Sequence, residues 1–200
     1  NRNTLLDKPE GPMPIKVISA NNLSNLAGAK WLCQCMGVDE AEFYEAIASF
    51  KGASKRLEKI AESTSKVAYK DFAHSPSKVS ATTKAVKAQY PDRKVVACLE
   101  LHTYSSLNAE FLKEYQGALD AADVAVVFYS PDAVKIKRLE EVSYDQISQS
   151  FQREDLIIYT NPTEFKDFLF SQNLENSALL LMSSGNYGGL NFDEVKGLIN

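Results

Sequence analysis

Asp71 and His74 lie three residues apart in the segment D-F-A-H-S-P (71–76), and both side chains can exchange protons or bind charged ligands. The segment follows an apolar run typical of a strand and precedes a run typical of a helix. Open α/β sheets form their ligand sites at such strand-to-helix turns. His74 is therefore a candidate ligand-binding residue, although a lone loop histidine can equally be an ordinary surface residue.

Two further stretches carry amide and guanidinium side chains. The sequence S-A-N-N-L-S-N (19–25) contains Asn22 and Asn25, and F-K-G-A-S-K-R ends at Arg56. An amide offers a donor and an acceptor side by side, and a guanidinium fork matches a phosphate. Each has a plainer alternative, because Asn22 can cap a helix that starts there and Arg56 can be a solvated arginine in a hinge.

A glycine-rich stretch, L-M-S-S-G-N-Y-G-G-L (181–190), follows the last predicted strand and contains Ser184, Gly185 and Asn186. Glycines expose backbone N–H groups with no side chains in the way, which suits an anionic ligand laid against them. The alternative is a plain glycine turn.

Charge and hydropathy exclude several classes of partner. The 200 residues carry 22 basic and 26 acidic side chains, a formal net charge of −4, whereas nucleic acids and anionic membranes attract clustered cationic charge. No apolar run approaches the roughly 20 residues of a membrane span, and no signal peptide opens the chain. We therefore expect a cytoplasmic protein with no nucleic-acid or membrane partner.

The cysteines and histidines predict no metal site. The three cysteines, Cys33, Cys35 and Cys98, include a C-x-C pair that lacks zinc spacing, and the two histidines lie far apart. Buried free thiols in a reducing cytosol are the expected interpretation. Neither G-x-G-x-x-G nor G-x-x-x-x-G-K-[ST] occurs, so the chain contains no ordinary dinucleotide or P-loop phosphate cradle.

The elements that position these stretches fall into two parts. Residues 1–55 contain a strand at 14–19, a helix from Asn22 and a second helix capped by Asp39 with Glu42 as its capping-box partner. Beyond a hinge at 51–56, short apolar strands alternate with helices, which predicts a mostly parallel, Rossmann-like α/β domain over 56–200. The predicted strands are 66–73, 94–101, 124–129, 155–159 and 178–182, and the helices after them begin near 76, 108, 143, 161 and 191.

The four polar stretches, in this order and at these spacings, resemble the Mur ligases, ATP-dependent enzymes that join amino acids or peptides to UDP-N-acetylmuramate. The resemblance covers essentially all 200 residues. It implies a truncated end of the family's central ATP-binding domain over 1–55 and the Mur ligase C-terminal domain over 56–200. The N-terminal and central domains of the same chain are then missing partners.

The resemblance implies a nucleotide site. Asn22 and Asn25 match the family's G-x-H-N-x-x-N element, which contacts the adenine end of ATP, although Ser19 and Asn21 replace the usual glycine and histidine. Arg56 matches the arginine of F-x-G-x-x-x-R, which reaches the ATP phosphates.

The segment 71–76 resembles the family's D-[DY]-[YF]-[GA]-H-x-P turn. By this resemblance Asp71 binds the ribose, Phe72 packs near the base, and His74 faces the acceptor amine. Several members carry His-His-Pro where this chain has His74-Ser75-Pro76.

Two stretches bear on the branch of the family. S-S-G-N-Y-G-G and V-V-A-C-L-E-L-H-T-Y-S are more similar to murein peptide ligases, which implies that Ser184, Gly185 and Asn186 bind a peptide, L-alanyl-γ-D-glutamyl-meso-diaminopimelate, in peptidoglycan recycling. His102, however, matches a histidine of the ligases that add L-alanine in peptidoglycan biosynthesis. That activity is the alternative.

In the family, ATP phosphorylates the muramoyl carboxylate and an amine attacks the acyl phosphate, with Mg²⁺ and cationic side chains neutralising charge. The P-loop and magnesium ligands lie upstream of residue 1 by this resemblance, so the fragment alone is expected to be inactive. A rival from another class is a non-catalytic, receiver-like or flavodoxin-like interaction module. A receiver would carry several acidic residues after its first strand and a lysine after its fifth, whereas Asp71 stands alone and that lysine is absent.

Overall fold

The structure, a computed structural model, describes residues 4–200 and begins with a small unit. Strands β1 (Thr4–Leu6) and β2 (Met13–Ile15) are antiparallel, and helices α1 (Ala20–Cys35) and α2 (Glu40–Ser49) follow them. Helix α2 begins as the sequence predicts. The Asp39 carboxylate accepts the Glu42 N–H at 2.8 Å, and the Glu42 carboxylate accepts the Asp39 N–H at 3.1 Å.

Helix α1 has a different cap and a less buried face than the sequence predicts. Ser19 is the N-cap, and its Oγ accepts the backbone N–H of Asn22 at 3.3 Å. The helix therefore starts two residues before Asn22, which leaves the Asn22 side chain free of a capping role. Of the apolar residues at helical spacing, Leu26 is buried, whereas Met36 is 75% exposed.

The prediction of buried thiols holds for one cysteine. Cys98 is fully buried, and burial raises its pKa to about 12. Cys35 is exposed and Cys33 is half-buried, so for these two the prediction is wrong. Both lie on the last turn of α1, whose apolar face packs only partly against α2 and β2.

The rest of the chain forms a six-stranded sheet with the order β3-β4-β8-β5-β6-β7. Its strands are β3 (Glu58–Glu62), β4 (Lys66–Asp71), β5 (Lys94–Glu100), β6 (Val124–Phe128), β7 (Ile157–Tyr159) and β8 (Ser177–Met182). All neighbouring pairs are parallel except β3 and β4, which confirms the mostly parallel α/β fold. Strand β3 was missed because E-K-I-A-E mixes charged and apolar residues, as a half-exposed edge strand does.

Helices cover both faces of this sheet. They are α3 (Pro76–Gln89), α4 (Ala109–Leu112) with a 3₁₀ turn at Lys113–Tyr115, α5 (Pro131–Ile136), α6 (Tyr144–Phe151), α7 (Pro162–Ser171) and α8 (Phe192–Ile199). The sequence pattern predicts that the helix beginning near 108 continues to 122. That prediction is wrong, because the chain leaves the helical path before Gly117, whose φ is +69°. Helix α5, which the sequence pattern did not predict, starts after Ser130 with proline at its first position.

The sheet supplies the core and directs the loops. Alternating side chains of its largely buried central strands enter two clusters, one on each face. Because β4, β8, β5 and β6 are parallel, their carboxyl ends, at Asp71, Met182, Glu100 and Phe128, lie along one edge. Within residues 4–200 no helix has the length and apolar character needed to cross a bilayer.

Candidate functional site

A polar cleft of about 500 Å³ lies between the small unit and the carboxyl end of β4. Four of the five residues predicted to bind a nucleotide line it: Asn22, Asn25, Arg56 and Asp71. The tertiary fold thus gathers side chains from three separate stretches of sequence. Lys78, on the first turn of α3, adds a second cation that the sequence analysis missed.

An apolar pocket of about 340 Å³ adjoins the cleft and shares Asn22, Asn25 and Arg56 with it. The rest of its lining is mainly apolar and comprises Val17, Leu26, Ala29, Ile47, Phe50, Gly52 and Ala53. An apolar slot with amides at its mouth fits a flat heterocycle, and the neighbouring cations fit phosphates. The residues present therefore suit a nucleotide such as ATP.

The side-chain amides of the two asparagines differ in their hydrogen bonding. The Asn22 amide donates to the Ile18 carbonyl at 2.9 Å and approaches the Arg56 carbonyl at 3.5 Å. Asn25, one turn further along α1, is exposed and its amide has no hydrogen-bond partner among residues 4–200. Asn22 thus links α1 to the backbone at Arg56, while the Asn25 amide has its full hydrogen-bonding capacity available to a ligand.

Asp71 occupies the carboxyl end of β4 and holds the segment that precedes β3 in place. Its Oδ2 accepts the Leu57 N–H at 2.5 Å and its Oδ1 accepts the Ala73 N–H at 2.6 Å. Burial raises the pKa of the Asp71 carboxyl above its ordinary value, against the opposing effect of these two N–H groups and of Arg56 and Lys78. Each oxygen keeps a lone pair, so the carboxylate can hold the backbone and still accept from a ligand hydroxyl.

Phe72 and His74 form the turn after Asp71. The His74 Nδ1 lies 2.8 Å from the Phe72 carbonyl, which can only accept, so Nδ1 carries the proton and Nε2 is the nitrogen left over for a ligand. The two rings meet edge to face at 5.2 Å, and the Tyr115 hydroxyl donates to the His74 carbonyl. Phe72 does not line the cleft, so the structure groups it with His74 rather than with the nucleotide residues.

A buried carboxylate, Glu100, organises the glycine-rich loop, and the sequence analysis missed it. Glu100 is 3% exposed; its Oε2 accepts the Ser183 hydroxyl and, at 2.9 Å, the Tyr187 N–H. Its Oε1 lies 3.6 Å from His102 Nδ1. A carboxylate at the end of the apolar run V-V-A-C-L-E was the available signal, because strand ends carry ligand chemistry in parallel sheets.

At two positions of this loop, neighbouring side chains leave no room for a Cβ, so the fold requires glycine there. A Cβ on Gly185 would lie 2.8 Å from Glu100 Oε2 and 3.1 Å from His102 Cγ. Gly188 has a φ of +71°, and a Cβ there would lie 2.8 Å from the Pro162 side chain. Gly188 therefore serves loop packing rather than ligand access.

The loop offers fewer N–H groups to a ligand than the glycine content suggests. The N–H groups of Gly185, Tyr187 and Gly189 all donate within the loop or to Glu100. Asn186 is exposed at the tip, whereas the Ser184 hydroxyl is buried without a partner in the described part of the chain. Of the three loop residues predicted to bind the acceptor, Asn186 is the one whose side chain a ligand can reach directly.

The described residues contain no group of three or more His, Cys, Asp or Glu side chains that could hold a metal ion.

Comparison with known proteins finds curated relatives of this chain. No protein-family model matches the chain. The UDP-N-acetylmuramate–L-alanine ligase of Gloeothece citriformis is 32% identical over 184 residues, which cover 88% of this chain and 36% of the relative. The chain thus spans little more than one third of the length of that curated relative.

Solved structures also share the fold, among them those of two ligases. The UDP-N-acetylmuramate–alanine ligase of Thermotoga maritima superposes with a TM-score of 0.68 and 18% identity, covering 94% of this chain and 39% of that one. A murein peptide ligase from Psychrobacter arcticus gives a TM-score of 0.63 and 18% identity, with 97% and 40% covered. At this identity the likeness establishes the fold and does not separate the two activities.

Proposed function

Because the chain belongs to the Mur ligase family, we propose that it is the C-terminal portion of an ATP-dependent amide ligase that joins a murein peptide to UDP-N-acetylmuramate. The peptide is L-alanyl-γ-D-glutamyl-meso-diaminopimelate, and the setting is peptidoglycan recycling in the cytoplasm of a bacterium. The observation that carries the ligase assignment is the cleft in which Asn22, Asn25, Arg56 and Asp71 converge.

The nucleotide side of the proposal assigns one task to each group. Asn22 and Asn25 border the apolar pocket and would orient the adenine, and Arg56 would bind phosphate oxygens. Asp71 would accept a ribose hydroxyl while its carboxylate holds Leu57 and Ala73. ATP with Mg²⁺ supplies the activation of the muramate carboxylate, and the residues of this chain bind and orient the nucleotide.

The acceptor side of the proposal uses the same edge of the sheet. Phe72 and His74 follow β4, and the loop with Ser184, Gly185 and Asn186 follows β8, the next strand. An amine held near His74 would lie beside the nucleotide cleft, because Asp71 both lines that cleft and accepts the N–H of Ala73, the residue before His74. Closing the small unit over this edge would exclude water from the reacting groups.

A second candidate function is L-alanine addition in peptidoglycan biosynthesis. The 32% identity to the Gloeothece citriformis ligase favours it, as does His102, which stands beside the glycine-rich loop. The side chains at the nucleotide cleft serve both candidates equally, so the distinction between them lies in the acceptor.

The acceptor assignment is tested by comparing kcat/KM for the tripeptide and for L-alanine in the intact protein that contains this chain, at saturating ATP and UDP-N-acetylmuramate. The ratio of these constants measures specificity, and we expect it to favour the tripeptide. A ratio that favours L-alanine would transfer the protein to the biosynthetic candidate.

The nucleotide assignment has its own test. Replacing Arg56 by Ala in the intact protein should raise KM for ATP about tenfold or more, since a charge-assisted hydrogen bond contributes roughly 1.5–3 kcal/mol. Lys84→Ala, which removes an exposed cation from α3 outside the cleft, is the matched control and should leave KM unchanged. Equal KM values for Arg56→Ala and wild type would refute the assigned role.

We also propose that the 200-residue chain alone does not turn over ATP, because its sequence contains no P-loop. Measuring phosphate release by the purified chain with UDP-N-acetylmuramate and tripeptide checks this. Release that depends on both substrates would contradict it.

A further inference from the structure

The segment 130–143, which we call the excursion, connects β6 to α6 and lies at the carboxyl edge of the sheet. It leaves the end of β6, forms the short helix α5, and ends at Ser143, the cap of α6. The Tyr144 hydroxyl, at the start of α6, lies 3.4 Å from Thr160 Oγ1, directly after β7. Both ends of the excursion therefore lie on the same edge as Asp71 and Glu100.

The excursion places a cation over an aromatic ring of the loop after β5. Lys137 Nζ lies 5.1 Å from the centre of the Tyr104 ring, and Tyr104 is 64% exposed. Lys137 forms no ion pair with any carboxylate among residues 4–200, and its neighbour Arg138 is likewise unpaired there. We call Tyr104 and Lys137 the distal pair.

The backbone of the loop that carries Tyr104 is held by a closed set of hydrogen bonds. The Thr103 N–H donates to Ser106 Oγ at 3.0 Å, the Ser106 N–H donates to Thr103 Oγ1 at 3.1 Å, and Ser106 is fully buried. Tyr104 lies within this closed turn, and His102, directly before it, lies beside Gly185. A site whose backbone is held in this way loses less entropy when a ligand binds.

The strand order sets the distance between the distal pair and the nucleotide cleft. Neighbouring strands are about 4.8 Å apart, and β4 is separated from β6 by β8 and β5, so the edge from Asp71 to the excursion spans about 14 Å. An extended tripeptide covers about 10 Å, and the side chain of a terminal diaminopimelate reaches further. A single L-alanine held beside the cleft cannot reach β6.

We propose that Tyr104 and Lys137 bind the carboxylate-bearing far end of the acceptor peptide and so select a peptide over a single amino acid. This inference rests on the proposed function. The tripeptide carries three carboxylates and L-alanine carries one, and Lys137 supplies the unpaired cation at the distance where the terminal carboxylates arrive. The Tyr104 ring holds the ammonium in position by a cation–π contact.

The test uses the intact protein with L-alanine, L-alanyl-γ-D-glutamate and the tripeptide as acceptors. Lys137→Gln should raise KM for the tripeptide about tenfold, as expected for loss of a charge-assisted hydrogen bond, and should leave the L-alanine reaction unchanged. Lys137→Arg should restore the tripeptide reaction, Tyr104→Phe should behave like wild type, and Tyr104→Ser should behave like Lys137→Gln. Lys84→Gln removes the same charge from α3 and serves as the control.

Two outcomes separate this inference from the proposed function. If the wild-type protein has a higher kcat/KM for L-alanine than for the tripeptide, the proposed peptide-ligase function is overturned, and no variant is needed to show it. Equilibrium binding of the tripeptide, titrated in the presence of a non-hydrolysable ATP analogue and UDP-N-acetylmuramate, reports on the distal pair independently of turnover. Equal tripeptide affinity in wild type and Lys137→Gln, or an equal loss of activity with all three acceptors, overturns the inference and leaves the function standing.

Discussion

The Asp71 carboxylate and the backbone N–H of Leu57 are 2.5 Å apart, although a whole β-hairpin separates the two residues in sequence. This bond fixes the segment after Arg56 against the end of β4. It thereby brings Arg56 to the same cleft as the carboxylate. The arrangement means that Asp71 has a structural task in addition to the nucleotide contact proposed for it.

Replacing Asp71 by Asn should lower the free energy of unfolding by about 1–3 kcal/mol. The amide keeps one oxygen acceptor, so either the Leu57 or the Ala73 N–H loses its partner, and an unsatisfied buried donor costs about that much. Urea denaturation of both proteins measures the difference. Asp92→Asn, at an exposed position, is the control and should change the stability little.

The pH dependence of this stability difference should have a defined sign. Burial raises the pKa of Asp71 above 3.8, so between that value and the raised pKa the native state binds more protons than the unfolded state. Stability contributed at Asp71 therefore decreases as pH rises through this window. The advantage of wild type over Asp71→Asn should be larger near pH 4 than at pH 7. An advantage that grows with pH would contradict the raised pKa.

Substitutions of Asn22 and Asn25 in α1 should have different effects: one should reduce both stability and nucleotide affinity, and the other should reduce nucleotide affinity alone. Asn22→Ala removes the hydrogen bond to Ile18 and should reduce both the free energy of unfolding, by about 1 kcal/mol, and the affinity for ATP. Asn25→Ala should leave thermal unfolding unchanged and raise KM for ATP roughly two- to tenfold. If Asn25→Ala left KM for ATP at the wild-type value, Asn25 would have no part in nucleotide binding.

Gly185 and Glu100 should show strong energetic coupling. Gly185→Ala places a Cβ 2.8 Å from Glu100 Oε2 and should destabilise the protein by about 1–3 kcal/mol. In a Glu100→Ala background the same change should cost less, because the oxygen it meets is gone, and a double-mutant cycle measures this difference.

Gly197→Ala supplies the control for that cycle. A Cβ at Gly197 has no neighbour within 4 Å, and the residue lies inside α8, so this change should stabilise the protein by about 0.5–1 kcal/mol. Additive losses for Gly185→Ala and Glu100→Ala would show that the close approach has no energetic consequence.

The sequence by itself determined the alternation of short apolar strands with helices, and from it the mostly parallel sheet. It also determined the capping box of Asp39, and it singled out Asn22, Asn25, Arg56 and Asp71 as candidate site residues, because capping and motif spacing are patterns of consecutive residues. These features depend on neighbours in sequence, which is why a pattern of letters was sufficient for them.

Only the tertiary structure decided which distant groups meet. Glu100 bonds Ser183 and Tyr187 across 83 and 87 residues, the edge strand β3 is held by pairing to β4, and Lys137 reaches Tyr104 because an unpredicted helix stays at the carboxyl edge. Residue type does not encode such partners. The buried carboxylate of Glu100 and the half-buried ammonium of Lys137 acquire their neighbours from the strand order, which places other chain segments beside them.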